Sequence, residues 1–328
     1  MSRMFQRPKF AKVTNELVAP TPIYFDNSLY FNFIIKGNMD KLQKVCNEWF
    51  NVPSNFKRVF EPALPYVMVT YAYYPRAYYQ SWKENNEGFT PYKELIFVLF
   101  LREKKPCGIL EDIGLIKPNF YGFVPFLFLD HAIPVAAGRE IFGMPKVMAD
   151  LDYPGLGGNG TVQKFSASTL GFNRSRGSVP MAKKQKIMEV TCPPGFNMEE
   201  ILSKAHGNPS DAIAREFFRN VETNSVNLNL AAMMIKIHEM SYISMRQYRD
   251  VIETDKAITK SIIEFPGKNL TVTNGGILPG QYDITYGENS LTYPVKHTLG
   301  LANQPTVSFW FQWDFYLSGG KQIWEWKE

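Results

Sequence analysis

A lysine set among apolar residues is the side chain with the clearest potential for chemistry. Lys146 follows Pro145 directly. Its apolar neighbours along the chain are Ile141, Phe142, Met144, Val147 and Met148. Removal from water disfavours the charged ammonium form, and only the neutral amine attacks a carbonyl carbon. The segment therefore indicates either a nucleophilic amine or a lysine whose stem covers apolar surface while its head reaches water, which is the commoner fate of lysines.

The other reactive residue types show no spacing that predicts a site. The four histidines, His131, His206, His238 and His297, form no HxxxH or HxH pair, and the cysteines form no CxxC pair. The glycines between 155 and 160 precede neither a Lys-Ser/Thr pair nor a helix start, so they indicate a hairpin turn. No serine lies in a G-x-S-x-G elbow. We therefore expect no metal and no cofactor.

Short apolar and aromatic runs predict that most of the positioning elements are strands. The runs that read as strands are 66–74, 95–101, 121–129, 161–172 and 186–192. The apolar spacing in 39–50, after a cap at Asn38, predicts an amphipathic helix, and 212–221 and 255–265 repeat helical spacing. The predicted helices do not alternate regularly with the predicted strands along the chain. This order argues against a doubly wound parallel fold.

The composition excludes several classes of partner. A net charge of +5, from 36 basic and 31 acidic residues, is too small and too dispersed to indicate a nucleic-acid partner. The N-terminal residues lack the apolar core of a secretory signal, and no apolar run reaches about 18 residues. We expect a cytoplasmic protein that binds neither nucleic acid nor a membrane.

Several motifs are similar to those of the acetoacetate decarboxylase-like superfamily. Ala136-Ala137-Gly138-Arg139-Glu140, followed after four residues by Pro145-Lys146, resembles the signature in which a Gly-Arg-Glu turn leads to the Schiff-base lysine. The further similar stretches, in the same order along the chain, are Phe25 to Asn32 (FxNxxYFN), the helix start at 38–42, Tyr92-Lys93-Glu94, and Met245 to Asp250. The resemblance covers residues 20–265.

The resemblance implies an α+β fold that is mainly antiparallel β. In it, a curved sheet closes into a cone-like barrel around the lysine, with peripheral helices and assembly into a homo-oligomer. Residues 1–20 would form an N-terminal arm and 20–265 the acetoacetate decarboxylase-like domain. Residues 266–328 would form a C-terminal extension packed on the same domain.

The resemblance also implies a reaction, a lyase that decarboxylates a small β-keto acid. Lys146 would attack the ketone, and the resulting imine would accept the electrons released as carbon dioxide leaves. Glu94 would move protons or position the substrate. Arg139 and Glu140 would shape the turn that presents Lys146, as a buried ion pair, and Met144 would support the substrate pocket.

Two positions depart from the decarboxylase proper and keep alternatives open. The second lysine that follows the nucleophile there is Val147 here, and a pocket arginine is replaced by Ser28. These differences fit the wider superfamily, whose members use the same imine for aldol, dehydration or hydration chemistry. A noncatalytic barrel that binds a small apolar ligand is the third alternative.

Overall fold

The computed structural model describes residues 18, 21–85, 88–104, 119–155, 163–172, 182–204, 240–249, 252–253, 255–265, 271–287 and 294–327. Strands dominate this part of the chain. They are β1 (Ile23–Lys36), β2 (Val59–Tyr79), β3 (Thr90–Lys104), β4 (Asn119–Leu129), β5 (Lys146–Met148), β6 (Asp150–Asp152), β7 (Lys164–Phe172), β8 (Ala182–Thr191), β9 (Ser241–Arg249), β10 (Ala257–Phe265), β11 (Thr271–Ile277), β12 (Asp283–Tyr286), β13 (Pro305–Leu317) and β14 (Lys321–Lys327). The helices are short: α1 (Met39–Cys46), continued by a π-helical turn (Asn47–Asn51), α2 (Gln80–Asn85), α3 (Ala132–Glu140), α4 (Met198–Lys204) and α5 (Val295–Leu299).

The strands form a large sheet and a small one. The large sheet has the order β11-β13-β1-β2-β3-β4-β9-β10-β14, and β5 also pairs with β4. The small sheet has the order β12-β8-β7-β6. Pairing is antiparallel except where β4 meets β5 and β9. The prediction of a mainly antiparallel α+β fold is confirmed.

The predicted closure into a barrel is wrong for the part of the chain that the structure describes. Closure requires the two end strands of a sheet to hydrogen-bond to each other. Here β11 pairs with β13 alone and β14 with β10 alone, so the large sheet keeps two edges within the described ranges.

The two faces of the large sheet bury different sets of side chains, because successive residues of a strand point to opposite faces. In β1, Phe31 and Phe33 belong to a core shared with α1 and the small sheet. Tyr30 and Ile34, on the other face, belong to an aromatic-rich cluster with β13 and the Ala137 region of α3. This second face carries the candidate site.

Several predicted elements are confirmed. The predicted helix at 39–50 is α1 with its π-helical turn, and the side chain of Asn38 caps it by accepting from the Lys41 N–H at 3.0 Å. The strands predicted at 66–74, 95–101 and 121–129 lie within β2, β3 and β4. His131 has a structural role at the start of α3, where its Nδ1 accepts from the Ile133 N–H at 3.3 Å.

The helix predicted at 255–265 is wrong, because this segment is β10. Its apolar residues suit a strand buried on both faces: Ile262 packs into one core and Ile263 into the other. The predicted helix at 212–221, two histidines (His206 and His238) and the glycines from 157 onward lie outside the described residues.

The region after residue 265 supplies strands to both sheets. β13 lies between β11 and β1, β14 joins β10, and β12 joins the small sheet. The division into an arm, a domain and an extension stays a prediction. Among the described residues, no helix has both the length and the apolar character needed to cross a membrane.

Candidate active site

The turn that precedes β5 determines where Lys146 lies. α3 ends at Glu140, and the chain reverses through Gly143, whose φ of +67° favours glycine. The Met144 N–H donates to the Gly138 carbonyl at 2.9 Å, which closes the turn. β5 then pairs in parallel with β4, and Lys146 lies opposite Leu127. The lysine is therefore held by a ladder of backbone hydrogen bonds and not by a free loop.

Lys146 and Glu94 form a buried ion pair. The distance between Lys146 Nζ and Glu94 Oε1 is 2.7 Å. The two residues are 8% and 4% exposed. Glu94 lies on β3, so the lysine side chain crosses the face of β4 to reach it. Lys146 is therefore removed from water, as one of the two sequence interpretations requires, and it lies at hydrogen-bonding distance from a carboxylate.

Two tyrosines extend this pair into a hydrogen-bonded chain. The Tyr74 hydroxyl donates to Glu94 Oε2 at 3.1 Å, and the hydroxyls of Tyr30 and Tyr74 are 2.6 Å apart. Burial, followed by the charge of Glu94, raises the pKa of Tyr74 well above its usual value. Burial likewise raises the pKa of Tyr30. Both hydroxyls thus keep their protons, and Tyr74 holds the carboxylate in place as a neutral donor.

Sequence reasoning did not identify these two tyrosines as site residues. Tyr74 and Ala72 are two residues apart and therefore lie on the same face of β2. Ala72 lies opposite Tyr30 of β1 and opposite Glu94 of β3. The small alanine leaves space across which Tyr74 reaches Tyr30 and Glu94. Only the pairing of three strands brings these groups together, and one sequence does not provide that pairing.

A cavity of about 130 Å³ opens beside Lys146 and Glu94. Most of its lining is apolar, and Met144 belongs to it. A smaller space of about 40 Å³ adjoins it and shares Lys146 and Met144. A small organic molecule in the cavity would therefore contact the amine directly. Met144 lines both spaces, and its role as support for a substrate stays a prediction.

Arg139 and Glu140 are not part of this cavity, and the expected buried ion pair between them is wrong. Both residues are exposed at the end of α3. Their backbones do contribute to the turn: the Arg139 carbonyl accepts from the Gly143 N–H at 3.2 Å, and the Glu140 carbonyl accepts from the Tyr248 hydroxyl at 3.2 Å. The helical rotation of about 100° per residue turns them away from the face on which Gly138 meets the lysine.

The two departures from the decarboxylase proper have structural explanations. Val147 packs against the core on the opposite face of the sheet, so residue 147 cannot supply a charge beside Lys146. Ser28 is fully buried, and its hydroxyl has no hydrogen-bond partner. It lies opposite Trp313, which lines the cavity. No charged group therefore occupies the position where the resemblance leads us to expect an arginine.

Gly138 leaves the space that the side chain of Lys146 occupies. A Cβ at this position would lie 2.2 Å from Lys146 Cδ and 2.5 Å from Cε. These atoms belong to the middle of the side chain, so any side chain at residue 138 must displace the amine from its place beside Glu94. The glycine of the Gly-Arg-Glu motif thus has a direct steric function.

We expect Gly138→Ala to slow the reaction of Lys146 with a carbonyl reagent by about 100-fold, because a displacement of about 1 Å in a reacting group costs that much. The free energy of unfolding should fall as well, because an amine displaced from Glu94 leaves a buried carboxylate without its partner, a loss that costs about 3–5 kcal/mol when it is complete. Mass spectrometry after borohydride reduction measures the reaction. Gly319→Ala is the matched control, because its Cβ would meet only Thr21 Oγ1 at 3.6 Å. Equal rates for Gly138→Ala and the unmodified protein would contradict the steric function.

Comparison with solved structures places this arrangement in a known fold. The acetoacetate decarboxylase of Legionella pneumophila has a TM-score of 0.61 at 17% identity, over 98% of this chain and 94% of that chain. An acetoacetate decarboxylase-like enzyme from Sphingomonas wittichii has a TM-score of 0.56 at 10% identity, over 95% of this chain and 96% of that chain. At such identities the likeness shows the fold alone.

A third similar structure is the enduracididine biosynthesis enzyme MppR, solved with the condensation product of pyruvate and imidazole 4-carboxaldehyde. Its TM-score is 0.57 at 12% identity, over 94% of this chain and 92% of that chain. No curated protein sequence matches the chain. Residues 14–184, just over half of the 328, match the sequence profile described as acetoacetate decarboxylase. The chain belongs to the acetoacetate decarboxylase family.

Proposed function

We propose that this protein is a Schiff-base lyase that decarboxylates a β-keto acid through an imine on Lys146. The 2.7 Å contact between Lys146 Nζ and Glu94 Oε1, at the wall of an apolar cavity, is the observation that carries the proposal. An amine nucleophile needs a group that removes its proton and a water-poor site in which the imine survives. Both requirements are met by these residues.

The proposed decarboxylation can be written with Lys146, Glu94, the substrate and water alone. Glu94 accepts a proton from the Lys146 ammonium, and the free amine adds to the ketone carbon of the substrate. The carbinolamine loses water to give a protonated imine. The bond to the carboxylate carbon then breaks and carbon dioxide leaves; the electron pair of that bond forms the carbon–carbon double bond of an enamine, while the π electrons of the imine move to nitrogen. Protonation at carbon and hydrolysis by water release the ketone and the amine.

Glu94 and its tyrosines would manage the protons in this sequence. The carboxylate lies close enough to Nζ to receive a proton before addition and to return one at a later step. Tyr74 holds the carboxylate from its other oxygen. Assembly into a homo-oligomer and a cytoplasmic location stay predictions.

One observation favours a second reaction class. Among the described residues that line the cavity, Lys146 is the single cation, so a substrate without a carboxylate would also fit. The same imine would then serve aldol, dehydration or hydration chemistry on a neutral carbonyl compound. Release of carbon dioxide separates the first reaction from the second, and imine formation separates both from a simple ligand-binding protein.

Reductive trapping tests the proposal. We expect borohydride, added with the right β-keto acid, to fix a substrate-derived mass on the peptide that contains Lys146. Lys146→Gln should abolish this label, whereas Lys184→Gln, which removes an exposed lysine, should leave it unchanged. If a panel of α-keto and β-keto acids labels surface lysines alone, the Schiff-base function is wrong.

A further inference from the structure

The cavity beside Lys146 has the size and lining of a site for a hydrocarbon group. We propose that the carbonyl compound taken by Lys146 carries, on its non-reacting side, an aromatic or branched apolar group about as large as a benzene ring. This proposal rests on the proposed imine chemistry and adds the class of substrate to it.

The volume of the cavity sets the size of the group. At about 130 Å³, it is close to an engineered protein cavity of about 150 Å³ that binds benzene. A ketone with a single methyl group on its non-reacting side would leave most of this space empty. Apolar side chains form the part of the wall that the group would touch: Ile96, Val98, Val124, Leu127, Phe265 and Phe315.

The charges in the cavity exclude a second carboxylate on the substrate. Lys146 is already compensated by Glu94, and the described lining residues hold no further cation. The buried Ser28 hydroxyl stands where a pocket arginine is expected from the resemblance. A carboxylate far from the imine would lose its water and gain no partner, which is strongly unfavourable. For an apolar group, by contrast, removal from water lowers the free energy of binding.

The strand register shows where the group would lie. Lys146 is in register with Leu127, and Leu127 with Ile96. Val98 lies two residues further along β3 on the same face, about 7 Å away, on the side opposite to Glu94. Met68 faces Val98 from β2. A substituent on the carbon bound to Nζ would thus pass Ile96 and end at Val98.

Three methyl ketones test this class directly. Trapping on Lys146 with cyanoborohydride is measured against the concentration of 4-phenylbutan-2-one, of butan-2-one and of 4-oxopentanoate. We expect half-maximal labelling by the phenyl compound at a concentration about 10- to 100-fold lower than by butan-2-one, the gain from burying one aromatic group. The carboxylate of 4-oxopentanoate should bring no such gain.

A variant that fills the far end of the cavity provides the second test. Val98→Phe should raise the half-maximal concentration of the phenyl compound until it is no longer lower than that of butan-2-one. Val98→Ile, a smaller step, should reduce the advantage without a risk to folding. Val52→Phe, at a residue that is 60% exposed, is the matched control and should change neither value.

The outcomes separate this inference from the function on which it rests. Labelling that favours 4-oxopentanoate, or that is equal for all three compounds, would overturn the apolar class while imine formation stands. If no compound labels Lys146 but 4-phenylbutan-2-one still raises the melting temperature with saturation, the imine chemistry is wrong and the apolar class is supported. Neither labelling nor binding by the phenyl compound would overturn both.

Discussion

Replacing Lys146 with methionine is expected to lower the free energy of unfolding by about 3–5 kcal/mol, the usual cost of leaving one member of a buried ion pair alone. Glu94 is 4% exposed, and without the lysine its charge keeps one hydroxyl partner, Tyr74. The lost stability therefore comes from an uncompensated carboxylate and not from lost packing, since methionine fills nearly the same space. Urea unfolding followed by circular dichroism measures the change.

The double variant Lys146→Met with Glu94→Gln identifies the cause. It removes both charges, so most of the lost stability should return, because neutral replacements of a buried pair are often tolerated. Lys184→Met is the surface control: its ion pair with Asp150 is exposed, and its loss should leave the free energy of unfolding nearly unchanged. If the double variant is as unstable as Lys146→Met, the ion pair is not the source of the effect.

Glu94→Gln is expected to slow turnover by about 10²- to 10⁴-fold, while borohydride still traps the imine on Lys146, more slowly because solvent must then take the proton of the amine. The amide keeps the shape of the side chain and can still accept from the Tyr74 hydroxyl, but it cannot take a proton from Lys146. Carbon dioxide release measures turnover, or product formation if the reaction is of the aldol class. Borohydride trapping on the same samples measures the imine.

A matched control for this change lies on the same strand. Glu103 of β3 is partly buried and pairs with Arg58, away from the cavity. Glu103→Gln should leave turnover unchanged even if it lowers stability slightly. Unchanged turnover in Glu94→Gln would remove Glu94 from the mechanism and make it a structural carboxylate.

Both members of the ion pair could be found from the sequence, but their contact could not. Lys146 stands out through its apolar neighbours and motif, and Glu94 through the motif at 92–94. They are 52 residues apart, and they meet because β4 lies between β3 and β5 in the sheet. Strand order is a property of long-range pairing, which no local pattern of residues reports.

Errors in the sequence analysis follow from the same limit. Arg139 and Glu140 were expected to form a buried ion pair in the turn because they belong to the motif, yet both are exposed and the contact with the lysine is made by Gly138. A motif records which residues occur together and not which way each side chain points. The segment 255–265 was assigned to a helix because a strand buried on both faces lacks the alternation that would identify it.

The turn between α3 and β5 also constrains how such a site can evolve. Because side chains alternate along a strand, adding or removing one residue in 141–144 would move Lys146 to the opposite face, into the packed core. Gly143 cannot carry a side chain there, since its Cβ would lie 2.7 Å from the Arg246 backbone. Selection on this segment thus acts on its length and on one glycine, in addition to the side chains of Met144 and Phe142, which line the cavity and the core.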